Sequence, residues 1–337
     1  MKKTLIALMI CGAGGTAIAQ SSVTVFGHID LNLTYSKAGG KSVKGMDQGG
    51  YLLPSRLGFR GTEDLGDGLS AGFWLESAVL PDTGATQGAM WGRRSTVSLT
   101  SKDYGELRLG RDYTPTFWNV STFAPFGTVG VGGSSNIIEG WPLGLGAART
   151  ETRASNSMSY FLPRTLGGVY GQLTVAAAEG TNGTRYVGGR IGYEAGPVNV
   201  SAAYGKTPVG NEDYTTATVG GTYDFRVAKA YVNYLQHKLG SDKQTNVLIG
   251  VLVPVGLGQI KASYARSDRS GPGLDGDDAR QLALGYVYFL SKRTTLYSAY
   301  SHITNKGNAA YVTADSSPDG VPGQKSSGLQ AGISHTF

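Results

Sequence analysis

Cysteine is almost missing from this chain: the only one, Cys11, lies in the first twenty residues, and everything after it is free of thiols. Disulfides and cysteine-ligated metals therefore cannot hold the rest together. Long apolar runs are missing as well. The stretch from Leu5 to Ile10 falls far short of the roughly 20 residues that a bilayer-spanning helix needs. Histidine is scarce, and His28, His237, His302 and His335 show no metal-ligand spacing. Neither a phosphate-binding loop nor a dinucleotide fingerprint appears. One G-x-S-x-G string, Gly68 to Gly72 around Ser70, enters a strand-like segment, whereas a nucleophile elbow needs strand, sharp turn and helix. The sequence thus predicts no catalytic residues, no cofactor and no metal.

Large excess charge is absent too. Lys2 and Lys3, the apolar stretch after them and the small-residue sequence Ala17-Ile18-Ala19 compose a secretory signal peptide over residues 1–19. A lipid anchor at Cys11 is disfavoured, because Ile10 stands where such a signal would have a small residue. Removing residues 1–19 takes two lysines and no acid from the net charge of +6, leaving +4 over 318 residues. That mild balance does not indicate a nucleic-acid partner.

What is present is glycine and tyrosine, 52 and 19 residues against only 12 prolines, a composition suited to many short twisted strands joined by turns. From Val23 to Tyr35 the odd positions read Val, Val, Gly, Ile, Leu, Leu, Tyr and the even ones Thr, Phe, His, Asp, Asn, Thr. A strand shows this period of two when one face meets apolar matter and the other water. Similar alternation recurs at Leu69–Glu76, Val198–Gly205, Ala217–Phe225 and Leu329–Phe337.

Alternation alone also fits a soluble β-sandwich whose apolar face points inward. The connections discriminate. Seven short links, near residues 62–68, 101–105, 163–168, 194–197, 224–227, 254–258 and 290–293, alternate with eight more variable polar ones. The latter lie near 37–50, 81–89, 112–150, 179–185, 206–213, 239–243, 267–278 and 305–325. Short turns at one end and longer loops at the other are the habit of outer-membrane barrels. With no spanning helix in the sequence, a closed barrel is the remaining way across a bilayer. Seven turns and eight loops join sixteen strands, so residues 20–337 are predicted to form one antiparallel transmembrane β-barrel with both termini on the periplasmic side. Tyr193, Tyr204, Tyr223 and Tyr288 suit its interfacial aromatic girdles. A lipid-facing wall implies outer-membrane lipid and lipopolysaccharide as surroundings.

Several segments resemble a known family: SSVTVFGHIDLNLTYS, SRLGFRGTEDLGDGLSAGFWLES, RRSTVSLTSKDYGELRLGRD, LGYVYFLSKRTTLYSAY and the closing GLQAGISHTF. Together they are similar to the trimeric porins of betaproteobacterial outer membranes, from Ser21 to the end. The resemblance implies a sixteen-stranded barrel, a homotrimer, passive diffusion of small hydrophilic solutes, and a third loop folded inward to narrow the pore. Terminal Phe337 resembles the C-terminal signature that the barrel-insertion machinery reads.

The third loop here is the link 112–150, whose centre FWNVSTFAPFGTVGVGG is aromatic and glycine-rich. It carries Asp112, Phe117, Trp118, Phe123, Phe126 and Glu139 as candidate constriction residues. Strand parity aims Arg56 and Arg60, opposite Leu57 and Phe59, at the lumen. Arg108 lies opposite Leu107 and Leu109, and Arg153 shares a face with Ser155, Ser157 and Ser159. Parity selects Arg94 over Arg93, whereas the resemblance to anion-selective members favours Arg93. Glu76 is the clearest inward acid. Unpaired guanidinium groups on low-dielectric walls enrich anions, so inorganic and small organic anions are the expected permeants. The competing reading for each single arginine is an ion pair tying loop to wall. An adhesin or surface-antigen barrel is the alternative for the whole chain, distinguished by a plugged lumen and very long loops.

Overall fold

The computed structural model describes residues 22–138, 148, 150–314 and 316–337. The signal segment and Glu139 lie outside the described residues. Strands β1 (Ser22–Ala38), β2 (Lys41–Asp47), β3 (Arg56–Gly66), β4 (Leu69–Leu80), β5 (Ala85–Thr86), β6 (Arg94–Ser101) and β7 (Gly105–Tyr113) come first. Helix α1 (Pro115–Thr122) follows, then β8 (Arg153–Phe161), β9 (Val169–Ala176), β10 (Tyr186–Ala195), β11 (Val198–Val209) and β12 (Glu212–Asp224). The chain ends with β13 (Lys229–Leu239), β14 (Asp242–Val255), β15 (Gly258–Ser270), β16 (Ala279–Phe289), β17 (Thr294–Asn305) and β18 (Ser326–Thr336).

Sixteen of these strands form one closed antiparallel barrel, each paired with its sequence neighbour and β18 returning to pair with β1 from His28 to Ala38. The other two are additions in loops. β1 is long, and its outer half offers an edge that β2 takes from Asn32 to Ala38 before β3 takes over from Ser22 to His28. β5 folds back onto Val79 and Leu80. The links 206–213 and 239–243, expected as loops, are instead strand except for the two-residue tips at 210–211 and 240–241. Gly210 and Gly240 stand at φ +61° and +59°, the left-handed backbone that such tight hairpin tips require and glycine adopts without strain.

Burial is inverted relative to a water-soluble protein. On β1, Asp30, Asn32, Thr34 and Ser36 are buried while Val23, Val25 and Leu33 are exposed, Leu33 to 67%. The same holds around the ring, with Leu173, Ile191, Val219 and Leu282 outside and Gln172, Thr218 and Gln281 inside. An apolar band facing out and a polar interior suit a wall set in lipid around water, and the sandwich alternative falls. Among the described residues no helix is long and apolar enough to cross a membrane. The strands cross it.

Inward apolar residues occur where a loop covers them. Leu235, Leu248 and Ile303 pack with Val120, Ile137 and Ile138 of the long segment between β7 and β8. The barrel's core is thus the seam between that segment and the wall.

Candidate functional site

Parity on β3 and β4 turns Arg56, Arg60, Trp74 and Glu76 inward. The Glu76 carboxylate accepts from Arg56 Nη1 at 2.8 Å, Arg93 Nε at 3.0 Å and Trp74 Nε1 at 3.0 Å. Arg93 sits just before β6, where strict alternation has not begun, and its backbone N–H donates to the Glu76 carbonyl at 3.2 Å. Both Arg93 and Arg94 therefore reach the interior. Arg93 also donates to the Tyr113 hydroxyl at 3.2 Å.

Arg153 joins this group by a route that parity does not give. The pairing of β7 with β8 steps from Gly110↔Ser157 to Asp112↔Ala154, so β8 carries an extra residue. Asn156 sits there at φ +53°. This bulge leaves Ser157 and Ser159 buried but Ser155 exposed, correcting the expected shared face. Arg153 nevertheless donates from Nε to the Arg93 carbonyl at 2.8 Å, its guanidinium 4.2 Å from the Tyr113 ring centroid. Two guanidinium groups thus share one carboxylate, and a third is held beside them by a backbone carbonyl.

The neighbouring group is neutralised. Arg108 donates to both oxygens of Glu106 at 2.8 and 2.9 Å and to Asp112 at 2.6 Å, and it lies 4.1 Å from the Phe161 ring centroid. Arg94 stacks on Trp74 at 4.4 Å, donates to Thr96 at 3.0 Å and stands 3.7 Å from Asp112. Two arginines here meet two acids. Arg60 is more exposed, 5.2 Å from both the Phe26 and Trp74 rings. Asp112 lies within β7, which ends at Tyr113, rather than opening the loop, which runs from 114 to 152.

Sequence reasoning missed further inward cations, among them Arg190, Lys261 and the buried Arg269. Arg190, between Ile191 and Gly189 on β10, lies 4.8 Å from the Tyr170 ring centroid and donates to its hydroxyl at 3.1 Å. Lys261 on β15 is buried with Nζ 4.9 Å from the Tyr51 ring centroid. The parity rule applied to β10 and β15 would have found all three.

Residues 114–138 of loop 114–152 lie against the inner wall. The Thr114 side chain caps α1 by accepting from Phe117 N–H at 3.4 Å, and Pro115 opens the helix, the residue types that start helices well. Phe117 stacks on Tyr113 at 4.7 Å and Trp118 meets the same ring edge-on at 5.1 Å. Asn119 donates to Thr218 on β12 at 3.2 Å. Beyond the helix, the buried Phe123 and Phe126 press where inward glycines leave room. A Cβ on Gly220 would stand 2.2 Å from Phe123, and one on Gly285 2.8 Å from Phe126. Inward polar side chains then satisfy the loop backbone: Gln244 and Asn246 donate to the Ile137 and Ile138 carbonyls at 3.2 and 3.3 Å. Gln281 donates to Gly133 at 3.1 Å, and Gln330 accepts from Val131 N–H at 2.9 Å.

Comparison with known proteins agrees with this architecture. A family model described as Gram-negative porin matches residues 4–308. The chain is 40% identical to outer membrane porin protein 32 of Delftia acidovorans, the alignment covering 100% of both. It is 30% identical to an outer membrane porin of Bordetella pertussis over 90% of this chain and 95% of that one. Among solved structures, the anion-selective porin from Comamonas acidovorans superposes with a TM-score of 0.84 at 36% identity, covering 94% of this chain and 100% of that one. The trimer form of OmpT from Vibrio cholerae shares the fold at TM-score 0.70 and 14% identity, over 94% and 99% of the two chains.

Proposed function

The chain belongs to the Gram-negative porin family, and we propose from that premise that its channel prefers anions, selected where Arg56, Arg93 and Arg153 face loop 114–152. An outer-membrane porin conducts small hydrophilic solutes passively through a water-filled lumen, and no catalytic step is assigned to this one. The observation that carries the anion preference is the shared carboxylate. Glu76 answers both Arg56 and Arg93 while Arg153 is held by a neutral carbonyl. Three cations against one anion leave a positive excess on a low-dielectric wall, where field lines focus into the pore. Rings of basic side chains at a narrowing are a recognised basis of anion selectivity. The solved relative at 36% identity, itself titled anion-selective, supports the same reading.

Residues 114–138 of the loop, lying against the inner wall, support a constriction at this level. A homotrimer is proposed on the same footing, one fold relative having been solved as a trimer. Conductance arriving in three equal steps per insertion would bear it out; single steps would refute it. Terminal Phe337 is proposed as the residue that the barrel-insertion machinery reads.

Zero-current potentials across a salt gradient test the selectivity. The wild type should favour anions, and the triple variant R56Q/R93Q/R153Q should lose most of that preference. Cation preference in the wild type, or an unchanged potential in the variant, would overturn the proposal.

A further inference from the structure

Inside the barrel, one inward row crosses four strands between the constriction and the short turns. Glu106 of β7 pairs with Phe161 of β8, Phe161 with Gln172 of β9, and Gln172 with Arg190 of β10. The cavity over this row has a volume of about 700 Å3, and Trp118 of α1 and Tyr170 of β9 also line it. Lys102 and Arg164 stand at its rim, exposed on the short turns after β6 and β8. Among the described residues five cationic side chains but only one carboxylate, that of Glu106, line the cavity.

The Glu106 charge is already answered, because Arg108 donates to both its oxygens. Arg190 is held differently. Its Nε donates to Ser201 at 3.3 Å and its Nη2 to the Thr122 and Tyr170 hydroxyls at 3.4 and 3.1 Å, all of them neutral. Among the described residues no carboxylate lies within 4 Å of Arg190, Lys102 or Arg164, in contrast to Arg94 and Arg108. Tyr170, whose hydroxyl donates in turn to Asn199 at 2.8 Å, is seated over Gly192, where a Cβ would stand 2.3 Å from its ring. The guanidinium plane is thereby fixed in orientation before any solute arrives. Bracing β10 against α1 explains the bonds to Thr122 and Ser201. It does not explain the open cavity that this guanidinium shares with Phe161 and Trp118.

We propose that this cavity is a second solute site on the permeation path and that it binds small aromatic carboxylates. Arg190 takes the carboxylate, whose two oxygens match the planar guanidinium fork, and Phe161 and Trp118 flank the ring. Phe161 and Arg190 lie two strands apart, roughly 10 Å between backbones, so a ring and its attached carboxylate can reach both at once. Aromatic side chains favour a flat π partner over an aliphatic acid of the same charge. Lys102 and Arg164 draw anions to the rim. The site shares no residue with the Arg56, Arg93 and Arg153 group, so separate measurements decide the two readings.

Single-channel recordings of the full protein in a planar bilayer test it, with benzoate, cyclohexanecarboxylate and benzyl alcohol as blockers. Benzoate should interrupt the current with an apparent affinity roughly two- to tenfold above that of cyclohexanecarboxylate, the range an aromatic pair adds beyond burial. Benzyl alcohol, which has the ring without the charge, should not block. R190Q should weaken benzoate block by about tenfold while keeping most of the anion preference in zero-current potentials. R190K, which keeps the charge but loses the planar fork, should conduct normally and also block less tightly. F161L/W118L should bring the two carboxylates level without weakening cyclohexanecarboxylate. Equal block by the two acids in the wild type, block by benzyl alcohol, or undiminished benzoate block in R190Q or R190K overturns the proposal. Loss of benzoate block in R56Q/R93Q/R153Q with retention in R190Q also overturns it, by assigning the solute to the constriction.

Discussion

Gly27 and Phe337 exchange both backbone hydrogen bonds at 3.1 Å, and the Phe337 ring occupies the space that a side chain at residue 27 would need. A Cβ there would stand 2.3 Å from the ring. This contact joins the last residue of the chain to β1 at the barrel seam. Gly27→Val should therefore displace Phe337 and destabilise closure by about 1–3 kcal/mol, the usual cost of overpacking. Urea unfolding and heat-modifiable gel mobility would report it. Because the clash is pairwise, adding Phe337→Ala should recover part of the loss, whereas two independent effects would add.

Glu76→Gln removes the one carboxylate shared by Arg56 and Arg93 and leaves both guanidinium groups in place. The expected result is a zero-current potential shifted further toward anions, opposite in sign to Arg56→Gln. A shift toward cations would mean that Glu76 acts by positioning the arginines rather than by offsetting their charge.

Salt supplies an independent check. Screening length falls from about 10 Å at 0.1 M to about 3 Å at 1 M, so selectivity set by wall charges should decline steeply across that range. Reversal potentials at a fixed gradient and rising mean concentration would show it. A constant preference would point to a steric or binding origin.

Gly220 makes room for Phe123, so Gly220→Val should push the loop off the wall and into the lumen. Lower and noisier single-channel conductance is expected, with the far-ultraviolet β signal retained. Unchanged conductance would show that Phe123 can repack without moving the loop.

Asp30 ties down a second inward segment. Its carboxylate accepts the backbone N–H groups of Gly49, Gly50 and Tyr51 at 3.2, 3.0 and 3.1 Å and the Tyr297 hydroxyl. Asp30→Ala leaves those buried donors unmatched, at about 1–3 kcal/mol for a group so orphaned. Limited proteolysis between 48 and 55 should accelerate in the variant and not in wild type.

Much of this molecule was legible from a period of two. The alternation around Val23 to Tyr35 fixes which side chains face water, and counting turns yields sixteen strands without coordinates. Parity misled where the ladder breaks. Arg153 lies beyond a bulge at Asn156, and Arg93 precedes the first paired residue of β6, so neither orientation follows from counting residues. β2 escaped notice because its pairing depends on the unusual length of β1, a property of the neighbour rather than of Lys41–Asp47. The neutralisation of Arg108 was within reach of the same rule, since Glu106, Arg108 and Asp112 alternate onto one face of β7, but which of them pair is set by side-chain conformation.

The loop segment 114–138 is bonded in turn to inward residues of β12, β14, β16 and β18. It therefore acts mechanically as an internal brace. A tube one sheet thick is soft against flattening, but a strut fixed at several points around its circumference resists ovalisation. Lateral pressure from a crowded or stiffening bilayer would then be carried across the tube by this strut, and the pore cross-section would stay constant while the surrounding membrane changes.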